Sequence, residues 1–159
     1  MNDRKKTTDP TQAMLDRARR YCAMAEQCES NVRQKLIGWG ASTADIDSII
    51  DRLRDENYLD DERYARAYCE SKMLHQHWGR QKVLYQLRLK HLPKEAIDSG
   101  MAAVADEAYM SMLAETAGRK LADLGGADAP DAVRRLTAFL ASRGFSFEDI
   151  NKSIKTYIQ

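Results

Sequence analysis

The side chains best suited to chemistry lie in one acid-free window, residues 71–94. This window contains no Asp or Glu but carries six Lys or Arg residues and all three histidines of the chain. The six cations are Lys72, Arg80, Lys82, Arg88, Lys90 and Lys94. The whole chain is nearly neutral, with 25 Lys and Arg against 24 Asp and Glu. The clustering therefore predicts a surface for phosphate groups or an acidic protein groove, with a merely solvated basic face as the alternative.

Other reactive residues do not combine into a recognisable active site. His75, His77 and Cys69 do not have the spacing of a zinc site, and we expect no metal ion and no cofactor. The carboxylates of residues 60–62 are explained by the start of a helix, where negative charge is favourable. No nucleophile motif or phosphate-binding glycine loop is present, so the sequence does not predict an enzyme.

Composition bears on the compartment in which the chain works. Three cysteines without paired spacing predict neither a disulfide framework nor a zinc site. No apolar run approaches the roughly 20 residues of a membrane helix, and the polar N-terminus lacks the apolar segment of a signal peptide. We expect a reduced, cytoplasmic protein that does not contact membranes.

The elements that position the basic window belong to an internal repeat. Three stretches carry apolar residues with the same steps of 4, 4, 6, 4 and 3 residues, and successive copies start 51 and 53 residues apart. They begin at Val32, Val83 and Leu136. A period near 50 residues is typical of stacked supersecondary units. The prediction is an all-α protein with a disordered tail (1–11) and one continuous domain of three repeats, 12–58, 59–105 and 106–159.

Each repeat is predicted to contain three helices, a first one followed by a pair that carries the apolar pattern. The first helices are predicted at 13–27, 61–74 and about 106–123, with one internal linker at 124–130. Helix starts are indicated by Ser42, Asp60 and Ser146 as N-caps and by Pro93 in the second repeat.

Helix ends inside the repeats are indicated by Gly40 and Gly144, where a left-handed backbone is common. His91 takes the same position in the second repeat, and histidine is enriched among the non-glycine residues that tolerate this conformation.

Within the basic window, a helix over residues 80–90 would have two apolar faces. Val83 and Leu87 fall on one face, and Tyr85 and Leu89 fall on the other beside Lys82. The second face is either buried in the array or exposed as a basic and aromatic surface. Arginines recur on the equivalent helix of the third repeat, and Arg33 and Lys35 give a weaker version in the first. The predicted contact residues are Arg80, Lys82, Tyr85, Arg88, Lys90, Arg134, Arg135 and Arg143.

Three ordered motifs resemble the RecX family. They are the stretches 59–68 (LDDERYARAY), 78–83 (WGRQKV) and 140–146 (LASRGFS), and the stretch 32–36 (VRQKL) is similar to the family's first-repeat helix. The resemblance covers about Tyr21 to Tyr157. Two positions depart from the family pattern, since Arg80 stands where proline is common and His91 where glycine is usual.

The resemblance implies three tandem three-helix repeats in an elongated, curved array, and a protein that regulates the RecA recombinase, mainly negatively. Such a protein binds in the groove of the RecA filament on single-stranded DNA. There it limits ATP hydrolysis, strand exchange and filament growth, in the setting of recombination, DNA repair and the SOS response. The implied partners are RecA and, within that complex, single-stranded DNA. A monomer is expected, and weak direct DNA binding stays open.

Two other classes of function remain open from the sequence. A stand-alone helix-turn-helix DNA-binding module would use helices near 43–56 and 147–158, but these carry several carboxylates that DNA phosphates would repel. A generic helical scaffold for another protein is the second alternative.

Overall fold

A computed structural model describes residues 10–157, and the described chain contains nine α-helices and no strand. The helices are α1 Pro10–Met24, α2 Glu29–Gly38, α3 Thr43–Asp55, α4 Asp61–Glu70, α5 Arg80–Leu89, α6 Lys94–Ala102, α7 Asp106–Asp123, α8 Ala132–Ser142 and α9 Phe147–Ile154. A π-helical turn, Ser71–His75, continues α4. The all-α prediction with three helices in each repeat is confirmed. The chain forms two compact units whose boundary falls between Tyr64 and Ala65, inside α4.

The predicted tail and the first helix need a correction. Residues 1–9 of the tail lie outside the described residues, but α1 already begins at Pro10, so residues 10 and 11 are helical. Proline suits the first turn of a helix because the N–H it lacks would have no intrahelical partner there. The helix also ends at Met24, three residues before the predicted end.

Local capping explains where three of the helices start. Ser42 Oγ accepts the Asp45 N–H at 3.2 Å, and Ser146 Oγ accepts the Asp149 N–H at 3.1 Å. Asp60 Oδ1 accepts the Arg63 N–H at 3.0 Å. Each such cap stabilises its helix by about 1 kcal/mol. All three predicted N-caps are therefore confirmed.

The turns that follow α2, α5 and α8 also agree with the sequence. Gly40 and Gly144 have φ of 88° and 97°, and His91 adopts φ 57° in the second repeat. Replacing glycine by histidine therefore preserves the left-handed turn, at a cost in backbone strain. The linker between α7 and α8 lies where it was predicted, with Gly125 and Gly126 both at positive φ.

The core of the first unit is formed by apolar faces of α1, α2 and α3. Val32 and Leu36 of α2 pack in one cluster with Leu15 of α1 and Ile50 and Leu53 of α3. All of these side chains are buried. Burying a side chain of this size stabilises the fold by about 1.5–3 kcal/mol, so the shared apolar pattern explains why the three helices pack together.

In the second unit, the repeats that contain α5 and α8 are joined by backbone hydrogen bonds. The Gly79 N–H donates to the Arg143 carbonyl at 2.8 Å, and the Gln81 N–H donates to the Gly144 carbonyl at 3.0 Å. A Cβ at Gly79 would overlap the Gly144 carbonyl group, and one at Gly144 would lie 2.7 Å from the Lys82 nitrogen. The start of α5 and the turn after α8 therefore meet only because both positions are glycine.

Candidate functional site

Helix α5 presents one side to solvent, which we call the α5 face: Lys82, Tyr85, Arg88 and Leu89. Tyr85 and Leu89 are 61% and 55% exposed, whereas Val83 and Leu87 on the other side are fully buried. Arg88 is also exposed. Residues three and four apart on a helix are neighbours, so this face combines two apolar side chains with two cations. Of the two alternatives for the second face of this helix, the structure shows the exposed basic and aromatic surface and not burial on both sides.

Two lysines converge on one indole beside the start of α5. Lys82 Nζ lies 4.1 Å and Lys72 Nζ 4.6 Å from the centre of the Trp78 ring. Each contact of this kind is worth about 0.5–1 kcal/mol at an exposed site. The ring therefore holds two positive charges near each other, which gives this end of the α5 face a positive potential.

Arg80 points back into its own unit. Its guanidinium lies 3.9 Å from the centre of the Tyr109 ring and forms an ion pair with Asp106 at 2.5 Å. Its backbone N–H also donates to the Tyr109 hydroxyl at 2.9 Å. Burial raises the pKa of Tyr109, so this hydroxyl stays protonated at neutral pH. These contacts fix the start of α5. They also occupy the Arg80 guanidinium, so it is less available to a binding partner than an arginine without such contacts.

Arg143 is held in the same way by the second repeat. Its guanidinium donates to the carbonyl of Gln76 at 2.5 Å and to that of His77 at 3.2 Å. The Arg143 carbonyl also accepts the Gly79 N–H. Arg143 therefore binds the turn before α5 through both its side chain and its backbone. The main effect of Arg143 in this structure is to join two repeats.

Arg134 and Arg135 lie exposed in the first turn of α8. Cations at a helix N-terminus are disfavoured by the helix dipole, and Asp131 pairs with Arg134 at 3.3 Å. Along the helix axis they are about 13 Å from Arg143, at 1.5 Å per residue. The eight predicted contact residues therefore fall into three groups: the α5 face with Lys90 at its end, the inward-held Arg80 and Arg143, and the start of α8.

Two of the three histidines of the basic window, His75 and His77, line a second-unit cleft of about 300 Å³. His77 has φ 58°, and its Nδ1 lies 2.7 Å from Thr116 Oγ1. Thr116 Oγ1 donates to the Met112 carbonyl at 2.8 Å, so its oxygen is placed to accept a hydrogen bond from Nδ1 of His77. No group of three potential metal-ligating side chains occurs between residues 10 and 157.

A cleft in the first unit was missed by the sequence reasoning. It has a volume of about 450 Å³ and is lined by Tyr21, Asn31, Gln34, Lys35, Gly38 and Trp39. In the sequence, Arg17 stands four residues before Tyr21 and Lys35 four residues before Trp39. In the structure each cation meets the ring of the other helix, Arg17 that of Trp39 and Lys35 that of Tyr21. The sequence spacing therefore gives no signal for the cleft, because these contacts depend on how α1 packs against α2.

Comparison with known proteins gives one family. Residues 60–101 match the second three-helix domain of RecX, and residues 107–154 match the third three-helix domain of RecX. The chain belongs to the RecX family. The resemblance inferred from the sequence motifs is thereby confirmed, and α4–α6 and α7–α9 correspond to the family's second and third domains.

Full-length relatives and solved structures agree with this assignment. The regulatory protein RecX of Vibrio campbellii is 26% identical over 145 residues, covering 91% of this chain and 92% of the relative. That of Prosthecochloris aestuarii is 29% identical over 144 residues, covering 91% and 93%. The crystal structure of RecX from Lactobacillus salivarius superposes with a TM-score of 0.80 at 18% identity, covering 92% of this chain and 96% of that one. At that identity the structural match establishes the shared RecX fold.

The α5 face lies inside the matched second domain of RecX, whereas the first-unit cleft lies outside both matched ranges. No described helix of this RecX-family chain is both long and apolar enough to cross a membrane.

Proposed function

We propose that this RecX-family protein regulates RecA, mainly as an inhibitor, by binding in the groove of the RecA filament on single-stranded DNA. In this proposal it acts in the cytoplasm as a monomer, without a cofactor and without catalysing a reaction. It limits ATP hydrolysis, strand exchange and filament extension by occupying the groove. Family membership supports the regulatory role, and the exposed α5 face is the single structural observation on which the mode of binding rests.

The composition of the α5 face favours a protein partner at its centre. Tyr and Arg are enriched at the centres of protein interfaces because they bury large areas and also hydrogen bond. Tyr85 and Leu89 would fill apolar hollows, and Arg88 and Lys82 would meet carboxylates or DNA phosphates. The start of α8 offers a second cationic group, Arg134 and Arg135, whose charges an anionic partner would compensate.

The helix-turn-helix alternative is disfavoured by the charges on its recognition helices. Asp51 and Asp55 of α3 are exposed, as is Glu148 of α9. DNA phosphates would repel these carboxylates, which would face the duplex in that mode of binding. A generic scaffold is disfavoured by the two matched RecX domains.

The experiment compares two charge reversals in an assay of RecA ATP hydrolysis on single-stranded DNA. The double variant Tyr85→Ala/Arg88→Glu changes two exposed side chains that make no hydrogen bond or ion pair within residues 10–157. If each of these interface residues contributes about 1 kcal/mol, the two together contribute about 2 kcal/mol, so we expect inhibition to need roughly 30-fold more protein.

The matched control is Arg119→Glu, which makes the same charge reversal at a side chain of α7 that is 71% exposed. We expect this control to inhibit like the parent protein. Undiminished inhibition by a Tyr85→Ala/Arg88→Glu variant with the parent's helical circular dichroism would refute the role of the α5 face.

A further inference from the structure

The first-unit cleft between α1 and the end of α2 combines three kinds of side chain. Its lining contains two aromatic rings, one lysine and two amides, and no carboxylate. Volumes of 300–1,000 Å³ are typical of sites for small organic groups. Rings, amides and cations together are the chemistry that proteins use for unstacked nucleotides.

The aromatic pair is held in place by the surrounding structure. The Tyr21 and Trp39 rings stand edge-on at 82°, with centres 6.4 Å apart. The Trp39 backbone N–H donates to the Lys35 carbonyl at 3.0 Å, and the Arg17 guanidinium lies 4.1 Å from the Trp39 ring centre. Both rings are half-buried against the core of the first unit. Because they are already ordered, stacking a base on them costs little conformational entropy.

The cations beside the cleft differ from others in the same unit. Arg19 and Arg33 each form ion pairs with carboxylates, at 2.6 Å to Glu56 and 2.9 Å to Asp47. Arg17 and Lys35 make no ion pair within residues 10–157 and lie against the aromatic rings instead. Their charges are therefore not neutralised by the protein, and an anionic ligand at this cleft would be attracted to both.

The Lys35 side chain occupies the face of the Tyr21 ring on which a base would stack. Its Nζ lies 5.5 Å from the centre of the Tyr21 ring, and its side chain is exposed. An exposed cation–π contact favours the ammonium group on the ring by roughly 2- to 5-fold in equilibrium constant. Stacking one base on an aromatic ring raises a binding constant by roughly 5- to 150-fold. A base can therefore displace the ammonium group from the ring. The displaced lysine is long enough to reach the phosphate of the same nucleotide.

The remaining lining provides polar groups and space. Gln34 is exposed, and Asn31 donates to the Gln27 side chain at 3.1 Å. Amide side chains carry both donors and acceptors for the edge of a base. At Gly38, apart from its chain neighbours and the backbone of α2 itself, no atom lies within 4 Å of the place where a Cβ would stand, so this side of the cleft is open to a ligand.

We propose that this cleft binds one unpaired nucleotide of single-stranded DNA. The base stacks on the Tyr21 ring beside Trp39, and Lys35 and Arg17 contact phosphates. This site rests on the proposed function, since it gives the first repeat a way to hold the DNA strand of the RecA filament. It is distinct from the α5 face, which lies in the other unit of the chain.

The test measures binding of a short oligothymidylate to the full chain without RecA, using the fluorescence of Trp39 in a Trp78→Phe background. We expect the oligonucleotide to quench Trp39 and to bind more weakly as salt rises. Tyr21→Leu should weaken binding roughly 5- to 150-fold. Lys35→Gln should weaken it and make the slope of log K against log salt shallower by about 0.7, the contribution of one phosphate contact on a single strand.

Two control variants on the same helices are expected to bind like the parent. Ile37→Ala removes an exposed apolar side chain of α2, and Arg20→Gln removes an exposed cation of α1. If Tyr21→Leu disturbs folding, the exposed Lys35→Gln carries the test by itself. An unchanged salt slope for Lys35→Gln, or equally effective competition by duplex DNA or polyglutamate, would overturn the nucleotide site.

This outcome is separable from that of the proposed function. If oligothymidylate binds as expected but RecA hydrolysis is unaffected, the nucleotide site stands and the proposed function fails. If RecA is inhibited but oligothymidylate does not bind, only the nucleotide site is overturned.

Discussion

Replacing Gly79 by serine tests whether close packing between repeats, and not backbone conformation, requires glycine at the start of α5. Gly79 is the N-cap of α5 and has φ −73° and ψ 158°, which any residue adopts. Serine is preferred over glycine at N-caps, and it also lowers the entropy of the unfolded chain. Local rules alone therefore predict that Gly79→Ser stabilises the protein by about 0.5–1 kcal/mol.

The packing around Gly79 predicts instead that Gly79→Ser destabilises the protein. A Cβ there overlaps the backbone of Gly144, which cannot move aside as a side chain could. Separating the two segments breaks the two hydrogen bonds donated by the backbone N–H groups of Gly79 and Gln81. Moving the start of α5 also breaks a third, which the Arg80 N–H donates to the Tyr109 hydroxyl on α7. At about 1 kcal/mol each, less the local gain, the net loss is about 2 kcal/mol. For a chain of this length the melting temperature should fall by about 4–8 °C.

The assay is thermal and urea unfolding followed by circular dichroism, with Gly38→Ala as the matched control. Gly38 lies in α2 with open space around it, so alanine there should stabilise the protein by about 0.5–1 kcal/mol. We expect the free energy of unfolding to fall in Gly79→Ser and to rise in Gly38→Ala. A Gly79→Ser protein as stable as the parent, or more stable, would refute the close packing described between the second and third repeats.

Three further predictions concern single side chains. Tyr109→Phe removes the acceptor of the Arg80 N–H and should lower the free energy of unfolding by about 1–3 kcal/mol; an unchanged urea midpoint would contradict this. The hydrogen bonds from Arg19 lower the pKa of Glu56 to about 2, so this ion pair stabilises the fold above the ordinary Glu pKa and is lost as pH falls towards 2. Glu56→Gln should therefore be less stable than the parent at neutral pH, and the difference in the free energy of unfolding should shrink as pH falls below the ordinary Glu pKa and disappear below pH 2; a constant difference would argue against the pair. Burial raises the pKa of the Cys69 thiol to about 11, so native protein should resist thiol reagents at neutral pH, and rapid labelling of Cys69 seen by mass spectrometry would contradict its burial.

Most helix boundaries of this fold could be predicted because their signals are local. Ser42, Asp60 and Ser146 cap helices within three residues of their own positions, and Gly144 ends α8 through its own backbone freedom. His91 adopts the same left-handed conformation, so the turn is kept even where glycine is absent. The π-helical turn after α4 was not predicted, since the sequence there reads as an ordinary helix end.

The site could be predicted only in part, because long side chains choose partners far away in the sequence. Arg80 meets Tyr109, and Arg143 meets the carbonyl groups of Gln76 and His77 across another repeat. Residue type and charge alone do not distinguish such an arginine from an exposed one such as Arg88. Tyr21 and Trp39 were missed for a related reason, since their rings meet only after α1 and α2 have packed together.

RecA-dependent ATP hydrolysis on single-stranded DNA is the most direct test of the proposed regulatory role. The measurement compares the rate with and without this protein, at amounts well below one copy per RecA subunit. The proposed function predicts that the rate falls at these sub-stoichiometric amounts, because one bound copy in the groove affects a growing filament beyond the subunits it touches. An unchanged rate even at equimolar protein would contradict it.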